Sequence, residues 1–97
     1  MPKGYWVVHV DVDNPEEYKK YVAANAVAFK KYGAKFLVRG GAADLREGSL
    51  RARTVVLEFK DLATAQACYD SPEYQAAKDI RLPHSTGDIV IVQGWNG

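Results

Sequence analysis

The sequence contains one cysteine, Cys68, and this scarcity excludes two kinds of stabilising crosslink. No disulfide can form within the chain, and no zinc site built from several cysteines is possible. Long apolar runs are missing too, because nothing approaches the roughly 18 continuous apolar residues of a membrane-spanning helix. The opening MPKGYWVVHVDVD lacks the apolar stretch of a secretory signal. We therefore predict a cytoplasmic protein with no membrane partner.

An excess of one charge is also absent. The chain has 13 basic and 12 acidic residues among 97, for a net charge of +1, and the basic residues are scattered along it. Proteins that bind nucleic acids concentrate their basic residues on one face, so we predict no nucleic-acid partner. The two histidines, His9 and His84, lie far apart, with no acidic residues at a matching spacing. We predict no bound metal and, because no phosphate-binding glycine motif is present, no nucleotide cofactor.

The pattern that is present indicates strands and helices within one domain, residues 1–97. Strands are predicted where β-branched and aromatic residues run between turn residues, at 5–12, 35–39, 53–59 and 88–95. Helices are predicted at 15–32, 62–69 and 72–80. Asn14, Asp61 and Ser71 are the predicted N-caps, and Gly33 is predicted to end the first helix. The long loop 41–52 is rich in small and charged residues, and such loops are sometimes lids and sometimes only connections.

The order of elements, β-α-β-β-α-β, is typical of the α+β class and of the ferredoxin-like arrangement, an antiparallel sheet with helices on one face. Alternation along the first strand puts Trp6, Val8, Val10 and Val12 on one face and Tyr5, Val7, His9 and Asp11 on the other. Neither face is convincingly polar. A monomer would expose an apolar sheet face to water, so we predict an obligate homodimer in which two sheets pack together. Trp6 and Trp95 are expected to pack against each other, because the first and last strands should be neighbours.

Several stretches of the chain resemble the small bacterial proteins of domain-of-unknown-function family 1330. They are KGYWVVHVDVDNPEEYKKYVAANAVAFKKYGAKFLVRGG, the strand VVLEF, the helix SPEYQAAKDIR and the closing DIVIVQGW. The resemblance covers nearly the whole chain and implies the dimeric α+β barrel fold. It implies no particular reaction, since the wider superfamily includes cofactor-free monooxygenases, haem enzymes, isomerases and ligand-binding regulators.

Charged side chains interrupt otherwise apolar strands at three positions of interest. Arg39, which looks buried, ends the second strand just before Gly40 and Gly41, while Glu58 and His9 lie inside the third and first strands. Because the third strand should lie between the other two, Arg39 could meet Glu58 and His9, although alternation alone does not set the registers. Arg39 then either forms a structural ion pair with Glu58 or grips a ligand carboxylate or enolate, with Glu58 holding it in position. His9 is either a general acid or base or a hydrogen-bonded structural residue.

Two helices carry further polar candidates. Asn25 lies on the apolar stripe of the first helix with Tyr18 and Phe29, so its amide either ties the helix to the sheet or points into a cavity between them. Tyr74 and Arg81 lie about two turns apart on the last helix and so near one face. Arg81 either reaches the same cavity or coats the surface.

The leading interpretation is a homodimer with one small cavity per subunit that binds a small organic anion. The predicted ligand-binding residues are Asn25, Arg39, Tyr74 and Arg81, and the predicted catalytic residues are His9 and Glu58. A reaction, if there is one, would need no cofactor, and proton transfer and oxygen-dependent oxidation are both compatible. The alternatives are a non-catalytic module that senses or buffers a metabolite, and a dimer whose polar groups are purely structural.

Overall fold

The computed structural model describes residues 2–95. In chain order the elements are β1 (Gly4–Val12), α1 (Pro15–Tyr32), β2 (Lys35–Arg39), β3 (Arg53–Phe59), α2 (Leu62–Asp70), α3 (Pro72–Arg81), a 3-10 helix (Leu82–His84) and β4 (Ser85–Gln93). The predicted order of elements and the α+β ferredoxin-like class are confirmed. Within the described residues, no helix combines the length and the apolar composition needed to cross a membrane.

The helices begin and end where the sequence places caps. Asn14 Oδ1 accepts a hydrogen bond from Glu17 N at 3.3 Å and starts α1. Gly33 ends the same helix in the left-handed conformation, with a φ of 68°. At the start of α2, Asp61 Oδ1 accepts a hydrogen bond from Thr64 N at 2.7 Å. Each N-cap satisfies a backbone donor that the first helical turn would otherwise leave unpaired, so local chemistry sets where these helices start.

The strands form one antiparallel sheet in the order β2-β3-β1-β4. The face that packs against the helices, which we call the inner face, carries the buried side chains of Trp6 and Leu57. We call the opposite side the outer face. The alternation predicted for β1 and β3 is confirmed by their register, in which Trp6 pairs with Leu57 and Val7 pairs with Val56.

The pairing of β2 with β3 contains one irregularity that positions the site. Phe36 pairs with Leu57, whereas Arg39 pairs with Val55, because the register shifts between Phe36 and Val38. The shift inserts one extra residue into β2, as a β-bulge does. Arg39 therefore shares the inner face with Phe36, although strict alternation would put these two side chains on opposite faces.

The core between the helices and the inner face is built around Trp6, which is 1% exposed. Its ring meets Phe29 and Tyr74 edge to face, with centroid separations of 5.4 and 4.9 Å. Its Nε1 donates a hydrogen bond to the carbonyl of Ala65 at 2.9 Å. One side chain of β1 thus contacts all three α-helices.

Two predictions about the end of the chain are wrong. β4 begins earlier than predicted, at Ser85, and ends at Gln93, because the chain pairs with β1 directly after the 3-10 helix. Trp95 is 94% exposed, while Trp6 is buried beneath the helices, so the two rings do not pack together. The β1–β4 ladder ends where Gly4 pairs with Gln93, which leaves Trp95 beyond the sheet.

The outer face presents apolar side chains at its centre. Val38, Val56, Val7 and Val90 follow one another across the four strands in a single row. We call this row, together with Val92, the outer valine patch. Val38, Val90 and Val92 are 39%, 54% and 44% exposed. An exposed apolar patch of this kind is typical of an interaction surface rather than of a free surface.

Candidate functional site

A cavity that opens to solvent lies between α1 and the inner face of the sheet. Aromatic and aliphatic side chains make up most of its wall. The polar groups in the lining belong to Tyr18, Tyr21, Asn25, Arg39 and Arg53. An apolar wall with a few polar groups is typical of sites for small molecules.

Asn25 is 6% exposed and lines the cavity from α1. Its predicted inward position is confirmed. Its side-chain amide carries two donors and one acceptor at the cavity wall.

Arg39 reaches the cavity because of the bulge in β2. Its guanidinium lies over the ring of Phe36, with Cζ 4.2 Å from the ring centroid. Stacking on an aromatic face orients the planar group and leaves its N–H donors at the edge. The side chain is exposed, which corrects the expectation of a buried charge at the end of this strand.

Arg53, the first residue of β3, also lines the cavity, although it was not among the predicted site residues. The signal was present, because Arg53 has the same parity in β3 as Val55 and Leu57 and so shares their face. Its Nε is buried, and no protein group in the described part of the chain accepts a hydrogen bond from it.

Gly40 provides the space that the Arg53 guanidinium occupies. An ideal Cβ on Gly40 would lie 2.5 Å from Arg53 Nη1, so any larger residue would displace this arginine. Gly40 also has a φ of 69°, a conformation that favours glycine. Gly40, which follows Arg39, thus leaves room for Arg53, the second arginine of the cavity.

Within the described residues 2–95, no carboxylate forms an ion pair with the guanidinium groups of the cavity. None of the ion pairs found within residues 2–95 involves Arg39, Arg53 or Arg81. Arg39 ends β2 and Arg53 begins the adjacent strand β3, so both lie at the same end of the sheet. Two unpaired cations beside an apolar cavity produce a positive potential that attracts anions.

A buried cluster of Tyr21, Tyr74 and Arg81 lies beside the cavity. The hydroxyl oxygens of Tyr21 and Tyr74 are 2.9 Å apart. Arg81 is 7% exposed, and its Cζ lies 5.6 Å from the centroid of the Tyr21 ring. The alternative in which Arg81 coats the surface is therefore wrong. Of the three, only Tyr21 lines the cavity, so Tyr74 and Arg81 lie behind the side chains that line it.

Two tyrosines of this region, Tyr74 and Tyr18, are held in their protonated form. Burial raises the pKa of Tyr74 and that of Tyr18 above the ordinary value of a tyrosine. The positive charge of Arg81 opposes the rise at both hydroxyls, and Arg53 opposes it at Tyr18. A hydroxyl with a raised pKa keeps its proton at neutral pH and can donate a hydrogen bond.

His9 and Glu58 do not converge on Arg39. Both lie on the outer face, where His9 Nδ1 is 3.1 Å from Thr54 Oγ1 and Glu58 Oε2 accepts a hydrogen bond from the Tyr5 hydroxyl at 3.2 Å. The bulge turns Arg39 to the inner face, so the sheet separates it from both residues. The expected contact between Arg39 and Glu58 is not formed, and neither His9 nor Glu58 lines the cavity.

The loop 41–52 does not line the cavity either. Arg51 forms ion pairs with Asp11 and Asp88 at 3.1 Å each, and the backbone N–H of Ala52 donates to Asp11 Oδ1 at 2.8 Å. These contacts tie the end of the loop to β1 and β4. Because Asp11 belongs to the outer face, this end of the loop lies away from the cavity.

Cys68 is a packing residue, as predicted. It is 0% exposed, its Sγ lies 3.9 Å from the carbonyl of Ala28, and burial raises its pKa to about 12. Such a thiol stays protonated and is a poor nucleophile. Across the part of the chain that the structure describes, no three histidine, cysteine, aspartate or glutamate side chains are grouped to hold a metal ion. That the protein needs no metal stays a prediction.

The fold and the cavity together define a class of protein: a ferredoxin-like α+β domain with a cavity between its sheet and its first helix. The chain belongs to the family described as "Domain of unknown function (DUF1330)", which matches residues 3–95. The resemblance noted from the sequence is thereby confirmed. No curated protein matches the chain.

Solved structures share this fold at low sequence identity. A protein of unknown function from Rhodopseudomonas palustris is 12% identical, with a TM-score of 0.72 over 99% of this chain and 85% of that one. A dimeric ferredoxin-like protein of unknown function from Jannaschia sp. is 16% identical, with a TM-score of 0.69 over 93% of this chain and 97% of that one. A cofactor-independent oxygenase from Streptomyces nogalater is 16% identical, with a TM-score of 0.65 over 100% of this chain and 97% of that one. At such identities the likeness shows the fold alone, which is that of the dimeric α+β barrel proteins.

Proposed function

We propose that this protein binds a small organic anion in the cavity between α1 and the sheet. The observation that carries the proposal is the pair of cavity arginines, Arg39 and Arg53, neither of which has a carboxylate partner within residues 2–95. A guanidinium that is partly removed from water is stabilised by an anion that accepts its N–H groups, and its planar fork matches a carboxylate. Arg39 and Arg53 would hold the acidic group of the ligand.

The rest of the cavity suits an apolar or aromatic ligand body. Trp6, Phe29 and Phe36 contribute aromatic surface to the wall. The amide of Asn25 supplies donors and an acceptor that would set the orientation of the ligand.

We also propose that the chain acts as a homodimer in which two outer faces pack together. The support is the outer valine patch, which crosses all four strands and includes Val90 at 54% exposure. Polar contacts such as Tyr5–Glu58 and His9–Thr54 lie around this patch on the same face. A fold match to a dimeric protein of Jannaschia sp. agrees with this arrangement. A cytoplasmic location belongs to the proposal and rests on the sequence.

A second candidate function is cofactor-independent catalysis, by proton transfer or by oxygen-dependent oxidation. The fold shared with the Streptomyces oxygenase favours it. Binding without acid–base catalysis is better supported, because no histidine or carboxylate among residues 2–95 lines the cavity. A catalytic role for His9 and Glu58 stays a prediction, and it would require a substrate on the outer face, since general acids and bases act within hydrogen-bonding reach. The leading form of the proposal is therefore a module that senses or buffers an organic acid.

A thermal-shift screen of small organic acids tests the proposed function. The screen compares the wild type with Arg39→Ala and with Arg46→Ala, a control whose side chain is 84% exposed in the loop. We expect at least one acid to raise the melting temperature of the wild type and of Arg46→Ala, with an affinity about tenfold weaker in Arg39→Ala, because a hydrogen-bonded charge is lost. If no acid distinguishes the proteins and Arg39→Ala simply melts earlier, Arg39 is structural and the proposal fails.

The role of Gly40 in holding Arg53 can be separated from its backbone strain by comparison with Gly33. The two glycines have φ angles of 69° and 68°, but an ideal Cβ meets an atom within 4 Å only at Gly40. We expect Gly40→Ala and Gly33→Ala each to lower the free energy of unfolding by about 1–2 kcal/mol. Only Gly40→Ala should also weaken acid binding, because Arg53 has to move. Gly41→Ala, where a Cβ meets nothing within 4 Å, should match the wild type. Equal acid binding by the Gly40 and Gly33 variants would contradict the role of Arg53.

A further inference from the structure

Arg81 is a buried cation that the anion site does not explain. The side chain is 7% exposed, it does not line the cavity, and no carboxylate within residues 2–95 pairs with it. Its Nε is buried without a hydrogen-bond partner in the described part of the chain. Burial of an unpaired charge is unfavourable, so its neighbours should show what stabilises it. Those neighbours are the aromatic hydroxyl groups of Tyr21 and Tyr74.

The burial of Tyr74 sets the direction of the hydrogen bond in this cluster. Its hydroxyl oxygen lies 2.9 Å from that of Tyr21. Tyr74 is 0% exposed, so a hydroxyl proton that did not point at Tyr21 would be buried without an acceptor, which is unfavourable. Tyr74 therefore donates to the oxygen of Tyr21. The proton of Tyr21 then has no acceptor within the cluster.

Tyr21 is the member of the cluster that lines the cavity. We propose that Tyr74 and Tyr21, beside the buried charge of Arg81, form a donor chain that ends in a Tyr21 hydroxyl proton directed at the cavity, and that the ligand carries a second oxygen acceptor, a ketone or an enolate, to receive it. This inference rests on the proposed function, because it concerns the other end of the same ligand.

The position of the chain places the second oxygen at the inner end of the cavity. Tyr74 is 0% exposed, and its ring centroid lies 4.9 Å from that of Trp6 at the centre of the core. Arg39 and Arg53 lie instead at one end of the sheet. The ligand would thus be an organic acid with its carboxylate at the arginines and its ketone or enolate oxygen at Tyr21.

A chain of this kind strengthens its last donor. The hydrogen bond from Tyr74 polarises the Tyr21 hydroxyl, and the buried charge of Arg81, with its Cζ 5.6 Å from the centroid of the Tyr21 ring, adds to this effect. Donors held in place before the ligand arrives are also the groups that stabilise negative charge developing on an oxygen. Arg81 and Tyr74 are accordingly positioning residues, and Tyr21 is the group that touches the ligand.

Matched pairs of acids that differ by one oxygen test the inference. The first pair is para-acetylbenzoate and para-isopropenylbenzoate, and the second is levulinate and the analogue in which a methylene group replaces its ketone oxygen. Affinities are measured by isothermal titration calorimetry. We expect the wild type to bind the ketone of at least one pair about tenfold more tightly than its alkene partner. Tyr21→Phe should abolish that preference and leave the affinity for the alkene unchanged, a pattern that a loss of folding would not produce.

Further variants separate the chain from the anion site. Arg81→Met and Tyr74→Phe should each reduce the ketone preference. If Arg81→Met does not fold, Tyr74→Phe provides the test by itself. Arg39→Ala should lower the affinity for both members of a pair by the same factor. Tyr32→Phe, which removes a hydroxyl from the same helix outside the cavity lining, should keep the preference.

Equal affinity for ketone and alkene in the wild type overturns the donor chain, and so does a preference that survives in Tyr21→Phe. If acids bind through Arg39 without any ketone preference, the proposed function stands and only the donor chain is lost. If no acid binds the wild type, both are overturned.

Discussion

Replacement of Trp6 by alanine is expected to lower the free energy of unfolding by about 3–5 kcal/mol, the largest loss that a single substitution should cause in this chain. The indole is 1% exposed and contacts Phe29 and Tyr74 across the core. Its removal leaves a void that the surrounding rings can fill only in part. It also leaves the carbonyl of Ala65 without the indole donor that lies 2.9 Å away. A domain of this size has about 5–15 kcal/mol of stability, so the loss would be a large fraction of the margin.

Urea unfolding followed by circular dichroism measures this loss, and Trp95→Ala provides the matched control. Trp95 is 94% exposed, so its replacement should change the free energy of unfolding by no more than about 0.5 kcal/mol. The two variants remove the same side chain, in one case from a buried position and in the other from an exposed one. A loss for Trp6→Ala as small as that expected for Trp95→Ala would contradict the central role of Trp6.

Replacement of Val90 by lysine is expected to dissociate the proposed homodimer. Val90 stands in the middle of the outer valine patch and is 54% exposed in the single chain. In a two-fold symmetric interface each substitution occurs twice, so two charges would be buried against apolar side chains without partners. A charge buried in this way costs several kcal/mol, and we expect the dissociation constant to rise by about 100-fold or more.

Sedimentation velocity over a range of concentrations measures the change, and Val27→Lys is the control. Val27 is 61% exposed on α1, on the side of the sheet opposite the outer face, so the same chemical change there should leave the dimer intact. A wild type that sediments as a monomer at every concentration would contradict the homodimer. If both lysine variants dissociate the dimer, the interface does not lie on the outer face alone.

The ends of the helices and the faces of the central strands could be predicted because they depend on local chemistry. A cap such as Asn14 acts on backbone groups within one turn of itself, and Gly33 adopts its conformation whatever lies further along the chain. Alternation in β1 needs no knowledge of the partner strand, so Trp6 and Val7 were placed on the correct faces. The burial of Asn25 followed from helical periodicity in the same way.

Two residues of the candidate site carried a local signal that was not used. Arg53 has the parity of Val55 in β3, and Tyr21 lies one turn from both Tyr18 and Asn25 on α1. Each could have been assigned to the cavity face from spacing alone. Their roles could not, because the space beside Gly40 and the 2.9 Å contact between Tyr21 and Tyr74 join residues that are distant in sequence.

The element order, the helix ends and the inward amide of Asn25 were determined by the sequence on its own. The composition of the proposed anion site was decided only by the tertiary structure, through one extra residue in β2. Strict alternation would put Arg39 on the face opposite Phe36, whereas the register shift between Phe36 and Val38 turns it to the cavity. A bulge forms where two strands pair, so it depends on contacts between strands that are separated by the whole loop 41–52. No pattern within the five residues of β2 contains that information.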